Sequence, residues 1–368
     1  MRILYVVARA EYFLSHRLSL AHAAKATGFT VAVATTDFSQ IGSEKLGGIT
    51  NFLVRFKRGS LNPFFEFKTI FDLVKVFKKF RPNVLHNVAL KPVLYGAAVA
   101  RFYGVPSVNS INGFGYIFTS NQLKARFLKL FIRVALRFIL NHKSITVIVQ
   151  NSKDHSDCLK LLPKCTLHLI AGSGVDTQIF YPQPYQGVFT FTLVARMLWS
   201  KGVGEFIDAA KMFKFSNPES SVRFLLVGSP DSENPESIPF PTLQHWFQEK
   251  IIEWREHTED IVSIYAQTSV AVLPSYREGM PKSLLEAMAC GLPVITTTAR
   301  GCDDLVQDGV NGLKVPVMDP VALFMAMQKF YFDPLFSKRA GCQGRVVAET
   351  IYSIDTINQQ VINIYNKF

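Results

Sequence analysis

Two glutamates eight positions apart, Glu278 and Glu286, bracket the run Glu278-Gly279-Met280-Pro281-Lys282-Ser283-Leu284-Leu285-Glu286. Pro281 suits a first helical position, and Leu284, Leu285, Ala287, Met288 and Ala289 carry the spacing and propensity of a packed helix. A helix start presents backbone N–H groups with no intrahelical partner, which favour an anion. Two acids beside an anion site require a ligand that offers both a negative charge and hydroxyl donors. A nucleotide sugar has both. Its diphosphate would sit at the N–H groups of Met280, Pro281's neighbour Lys282 and Ser283, while the carboxylates accept bonds from sugar and ribose hydroxyls. The competing reading is an exposed helix with solvated glutamates, since Glu is mostly exposed in folded proteins. Gly279, Pro281 and the closing Cys290-Gly291-Leu292-Pro293 weigh against it, because they punctuate a built turn. A second pair of interest is Arg196 and Lys201, five residues apart at a predicted strand end. Arg through its fork and Lys as a point charge suit a diphosphate, although two such cations alone also suit a plain charged surface.

The elements needed to position these groups are legible in the second half. Strand Phe189 to Arg196 delivers the cations. Strand Val222 to Val227 ends at Gly228, where backbone can come close to a nucleotide, and Pro230 to Pro241 reads as a polar insertion. A short strand at Ile251 to Trp254, a short helix at Asp260 to Tyr265 and the buried-type strand Val270 to Ser275 lead into the glutamate run. Strand Pro293 to Thr297 and the glycine turn Asp308-Gly309-Val310-Asn311-Gly312 follow.

Glu-Gly-Met-Pro-Lys-Ser-Leu-Leu-Glu, with Pro274-Ser275-Tyr276 before it and Ala289-Cys290-Gly291-Leu292-Pro293-Val294-Ile295 after it, resembles the E-x7-E motif of retaining GT-B glycosyltransferases of family 4. The resemblance implies an α/β protein of two Rossmann-like, doubly wound domains facing across a cleft. It further implies a nucleotide-sugar donor on the second domain, an acceptor on the first, retention of anomeric configuration and no metal. It gives Glu278 the place nearest the transferred sugar, Glu286 the ribose, and Arg196 and Lys201 the leaving diphosphate. Gly172-Ser173-Gly174-Val175-Asp176 resembles the family's N-G-V-D turn, with Ser173 in place of Asn, and marks the approach to the crossing. Domains are expected at 1–182 and 183–350, with 351–368 a helix packing back on the first.

The first half repeats strand and helix from Arg2 to Ala171, the cadence of a doubly wound sheet. Ala10 to Ser15 reads as a loop and His16 to Thr27 as the first helix. No G-x-G-x-x-G lies in that turn, which disfavours a dinucleotide oxidoreductase. Open α/β sheets bind ligands beyond the carboxyl ends of their strands. That rule singles out the strand-end loops carrying His16 and Arg17, His86 and Lys91, and Asn112, Gly113 and Gly115. Asn112 falls where many family-4 enzymes place a histidine. A histidine base is therefore not expected, and the leaving phosphate itself can help deprotonate the acceptor.

Composition narrows the partners. The chain has 368 residues and a net charge of +12, distributed unevenly: 24 Lys and Arg against 8 Asp and Glu up to Tyr185, 16 against 20 beyond. A basic, Phe-rich first half suits a polyanion. No RNP, zinc-finger or helix-turn-helix pattern points to nucleic acid, so an anionic membrane surface is the better partner. Within Asn121 to Asn141, Lys129, Arg133 and Arg137 recur every four residues amid apolar positions, as in a helix lying in a lipid interface, or equally in a core helix with a basic edge. Five cysteines with no C-x-x-C, and no leader before the first strand, fit a reducing, cytoplasmic setting beside the inner membrane. There is no D-x-D and no ligand-spaced His, Cys and Asp cluster, so no metal or other cofactor is expected. Together these lead to a UDP-sugar donor and a polyprenyl-diphosphate-linked acceptor. The alternatives left open are a GT-B-fold UDP-sugar epimerase and a non-catalytic nucleotide-sugar or membrane-binding protein.

Overall fold

The computed structural model describes residues 1–36, 43–57, 62–112, 123–184 and 187–368, apart from the side chains at 43, 44 and 123–129. Gly113 and Gly115 lie outside the described residues. The chain divides into two units, Met1–Ser173 with Ile357–Phe368, and Gly174–Thr356.

The first unit contains a seven-stranded sheet. Its strands are β1 (Arg2–Val7), β2 (Thr30–Thr35), β3 (Thr50–Leu53), β4 (Val84–Val88), β5 (Ser107–Ile111), β6 (Ile145–Val149) and β7 (Thr166–Leu169), in the order β3-β2-β1-β4-β5-β6-β7. Every pairing is parallel. The near-continuous apolar runs follow from this topology: crossover helices cover both faces, so both faces must be apolar. In β1 the alternation separates cleanly. Ile3, Tyr5 and Val7 enter one core and Leu4 and Val6 another. The order reverses between β1 and β4, the switch point at which doubly wound sheets bind ligands.

The second unit contains a six-stranded, all-parallel sheet of β8 (Thr190–Val194), β9 (Arg223–Val227), β10 (Glu253–Arg255), β11 (Val270–Leu273), β12 (Val294–Thr297) and β13 (Gly312–Val315), ordered β10-β9-β8-β11-β12-β13. Its core is rich in phenylalanine; Phe191, Phe206, Phe213 and Phe224 are all fully buried.

Three local expectations change. Ala10 to Ser15 is not a loop but helix Ala10–His16, because Ala10 and Phe13, three apart, both enter the core and Phe13 packs edge-on against Tyr5. A second helix, Leu18–Ala26, follows a break at Arg17. The division between units falls after Ser173, not at 182. Gly174 and Val175 are already bound into the second unit, where Val175 accepts from Ile354 N and donates to Tyr352 O, each at 2.9 Å. The last helix, Ile354–Tyr365, contributes Ile357, Val361, Ile362, Ile364 and Tyr365 to the core of Ile3, Tyr5 and Val7.

Candidate functional site

The glutamate run leaves β11 through Pro274 and Ser275 and enters helix Lys282–Ala289. Pro281 is the N-cap of that helix, one place earlier than the first helical position expected, and no side chain caps it. Leu285 N is bonded to Pro281 O at 3.2 Å, so the N–H groups of Lys282, Ser283 and Leu284 precede the first intrahelical bond. Met280 lies ahead of this turn. Leu284 turns its side chain into the core, leaving only its backbone to a ligand.

Both glutamates are tucked in, which removes the solvated-helix reading. Glu278 Oε1 accepts from Lys201 Nζ at 2.5 Å and from Ser275 Oγ at 2.6 Å. Its backbone is fixed by Glu278 N donating to Arg300 O at 2.9 Å. Opposite stands Gly301, at φ 81°, where a Cβ would lie 2.3 Å from Glu278 O. Only glycine allows that approach. Cys302, next along, has its thiol pushed up to about 12 by burial, with the charge of Glu278 adding to the effect. Glu286 is 8% exposed, and burial raises its carboxyl above the usual range while Lys282, at 3.3 Å, opposes this. Tyr265 donates to Ser283 O at 2.6 Å and so braces the first turn of the helix from below.

Lys201 and Arg196 diverge. Lys201 stands on the short turn Trp199–Lys201 and is joined to Glu278. Arg196 instead donates to Asp231 Oδ2 at 2.6 Å. The polar insertion thus has a structural role that its composition did not suggest. It pairs as Leu198 with Ser237, Trp199 N donates to Glu236 O at 2.9 Å, and Ser200 Oγ donates to Glu236 Oε2 at 2.6 Å. Gly228 closes β9 at φ 141°, where a Cβ would fall 1.9 Å from Ala195 O. Its backbone therefore locks against the segment that carries Arg196.

In the first unit, His16, Arg17 and Asn112 come together at the carboxyl edge of the sheet. Tyr12 stacks on His16 with ring centroids 4.2 Å apart and is hydrogen-bonded to Asn112. Asn112 Oδ1 accepts from Gln150 Nε2 at 2.9 Å and from Arg17 Nη2 at 3.4 Å. His86 does not belong to a strand-end loop: it lies within β4, fully buried, bonded to Tyr365 through Nδ1 and to Ser110 Oγ at 2.7 Å through Nε2. Burial, reinforced by the charge of Arg17, holds it neutral. It is a core histidine, placed there by the period-two alternation of a strand buried on both sides. Lys91 turns to Glu66 Oε1 at 2.7 Å and Lys57 O at 2.8 Å, away from the Asn112 group of contacts.

Among the described residues no helix is long and apolar enough to cross a membrane. Helix Leu123–Leu140 buries Ile132, Leu136 and Leu140 and projects Phe131 (70% exposed) and Phe138 (77% exposed), with Leu130 and Val134, outward.

Comparison with known proteins agrees with this architecture. Residues 2–152 match the family described as glycosyl transferase 4-like, and residues 188–333 match that described as glycosyl transferases group 1. The chain is 28% identical to the N,N'-diacetylbacillosaminyl-diphospho-undecaprenol alpha-1,3-N-acetylgalactosaminyltransferase of Campylobacter jejuni, over 72% of each chain. It is 26% identical to the UDP-Gal:alpha-D-GlcNAc-diphosphoundecaprenol alpha-1,3-galactosyltransferase of Escherichia coli, over 77% of this chain and 75% of that one. In fold it resembles sucrose-phosphate synthase of Thermosynechococcus elongatus, with a TM-score of 0.80 at 20% identity over 100% and 98% of the two chains. It also resembles Anabaena HepE in complex with UDP and glucose, with a TM-score of 0.78 at 16% identity over the whole of both chains. With a 4-like first half, a group 1 second half and two all-parallel doubly wound sheets, the chain belongs to the GT-B glycosyltransferases of family-4 type.

Proposed function

We propose that this glycosyltransferase moves a hexose or N-acetylhexosamine from a UDP-sugar to a lipid-linked saccharide, with retention and without a metal, at the cytoplasmic face of a membrane. The observation that carries the reading is the Lys201–Glu278–Ser275 group beside the uncapped start of helix Lys282–Ala289. Lys201 and Arg196 meet the leaving diphosphate. Glu278 lies nearest the transferred sugar, Glu286 faces the ribose, and the backbone from Gly279 to Leu284 holds the nucleotide. Asn112 is held by Gln150 and Tyr12, and His86 is buried in the core, so neither of these two is set up as a strong base. The leaving phosphate oxygen takes the acceptor proton as the sugar departs. The two relatives named above, one for a UDP-sugar and both for a diphospho-undecaprenol acceptor, support the choice of substrates. Both names also specify an alpha-1,3 linkage, the product that retention gives from an alpha-linked UDP-sugar.

Purified protein incubated with a panel of UDP-hexoses and UDP-N-acetylhexosamines and a polyprenyl-diphosphate saccharide should give a lipid product one sugar heavier by mass. If none of these donors is transferred or hydrolysed, the reading fails. Excess EDTA should leave the rate unchanged, because positive charge at the diphosphate comes from Lys201, Arg196 and the helix start. Abolition by chelator with recovery on adding magnesium or manganese would reverse that part.

Two helices of the first unit support attachment to a membrane. Exposed Leu130, Phe131, Val134 and Phe138 share helix Leu123–Leu140 with Arg133 and Arg137, and exposed Phe64, Phe67 and Phe71 share helix Pro63–Phe80 with Lys68, Lys75 and Lys78. Apolar bodies with basic neighbours suit an anionic lipid interface. Changing Lys129, Arg133 and Arg137 together to Glu should release the protein from acidic vesicles at physiological salt and leave hydrolysis of soluble donor intact. Continued sedimentation of the triple variant with vesicles would show that the contact is elsewhere.

A further inference from the structure

Among the described residues Arg17 is a buried cation with no counter-ion. It is 3% exposed, Nη2 makes one long bond to Asn112 Oδ1 at 3.4 Å, and buried Nε has no acceptor. Among the described residues no carboxylate pairs with it. The groups that feel its charge are Tyr5, Tyr12, His86 and Tyr365. All four are held neutral, the tyrosines with their hydroxyls raised and His86 lowered, in each case chiefly by burial. Folded proteins rarely leave a buried guanidinium without an anion, because its lost hydration is then uncompensated. Thirty-nine other Lys and Arg side chains are available to make this chain basic at the surface, where no such cost arises.

Its position is informative. Arg17 is the N-cap of helix Leu18–Ala26, whose first turn has no side-chain cap, so the first backbone N–H groups of that helix follow directly in the chain. It follows the first helix after β1, and Asn112, the acceptor of its Nη2, follows β5; Gln150, which fixes Asn112, follows β6. The cluster thus stands at the carboxyl edge, on the strands around the β1/β4 reversal.

We propose that Arg17 is a built seat for a phosphate oxyanion, completed by the amide of Asn112 and the start of helix Leu18–Ala26. The proposal rests on the reading of the chain as acting on diphosphate-linked substrates. The oxyanion belongs either to the diphosphate of the lipid-linked acceptor or to that of the donor, and the chemistry of the seat is the same for both.

Inorganic pyrophosphate is the first probe, titrated calorimetrically into the full chain carrying Arg196→Ala and Lys201→Ala, which removes the other expected diphosphate cations. Adding Arg17→Gln should weaken binding about tenfold to a hundredfold, as expected for loss of a charge-assisted bond. Asn112→Asp supplies the missing counter-ion from within. It should raise the melting temperature in the absence of ligand and weaken pyrophosphate to a similar degree, an outcome that a merely structural Arg17 would not produce. It also keeps the proposal testable if Arg17→Gln does not fold. Wild-type pyrophosphate affinity in either variant overturns the seat. The source is read in the otherwise unaltered chain with UDP and geranyl diphosphate: Arg17→Gln that weakens only geranyl diphosphate assigns the seat to the acceptor, and one that weakens only UDP assigns it to the donor. No weakening of either also overturns it. Because these readouts need no turnover, a chain that binds pyrophosphate through Arg17 yet transfers no sugar would refute the proposed activity and leave the seat standing.

Discussion

Lys201→Ala should cut sugar transfer about a hundredfold or more, the range seen when one preorganised group that meets transition-state charge is removed. Charge builds on the diphosphate as the glycosidic bond breaks, and few groups in the second unit are placed to meet it. Lys201 Nζ rests on Glu278 Oε1 at 2.5 Å, so the ammonium is held by the carboxylate that is proposed to lie nearest the transferred sugar. Arg196→Ala should cost a similar amount by a different route. Its guanidinium is half-exposed and held by Asp231, so it must leave that carboxylate to reach a ligand. Lys201→Ala also strips the Glu278 carboxylate of its cation, while Ser275 Oγ still donates to it. Lys201→Gln separates the two effects: it keeps a donor to Glu278 and lacks the charge, so transfer should stay low while melting temperature returns towards wild type. Wild-type kinetics for Lys201→Ala would remove the diphosphate assignment altogether.

Features built from contiguous residues are legible in the sequence, and those built from distant residues are not. The strands were legible because parallel sheets covered on both faces demand continuous apolar runs, and Ile3 to Val7 or Val270 to Leu273 can hardly be anything else. The glutamate turn was legible because its parts are contiguous and its punctuation, Gly279, Pro281 and Gly291, reflects local backbone needs. The pairing of Lys201 with Glu278 spans 77 residues, and nothing local announces it. The same holds for the bond between His86 and Tyr365, 279 residues apart, which turned an apparent strand-end histidine into a core residue. The place of Arg17 after the first strand is legible in the sequence, but its lack of a carboxylate partner among the described residues is a property of what surrounds it in space. The polar insertion misled for a related reason: Asp231, Glu236 and Ser237 look solvated in sequence, yet each finds its partner on the Arg196 to Lys201 segment or on the backbone of the insertion. Composition reports what a segment contains, and here the function of the segment depends on what it meets.

The two glutamates should fail in different ways. Glu278 is poised by Lys201, Ser275 and the Gly301 approach at the start of the run, and Glu286 lies inside the helix, buried and paired with Lys282 at 3.3 Å. Contacts that tighten only at the transition state appear in kcat, whereas contacts made equally in the ground state appear in KM. Glu278→Gln should therefore lower kcat strongly with a modest change in donor KM. Glu286→Gln should raise donor KM with a smaller effect on kcat. Stability separates them further. Burial raises the carboxyl pKa of Glu286 in the folded state, so its ionised form at neutral pH works against folding, and glutamine removes that charge while keeping the size. The melting temperature of Glu286→Gln should not fall, and a raised KM in that variant then reports lost ribose contacts and not a loosened helix. Glu278→Gln leaves Lys201 without its carboxylate and should melt lower. Steady-state kinetics with donor varied, alongside calorimetric donor binding, decide the matter: if both variants turn over and bind donor like wild type, this turn is not the donor site.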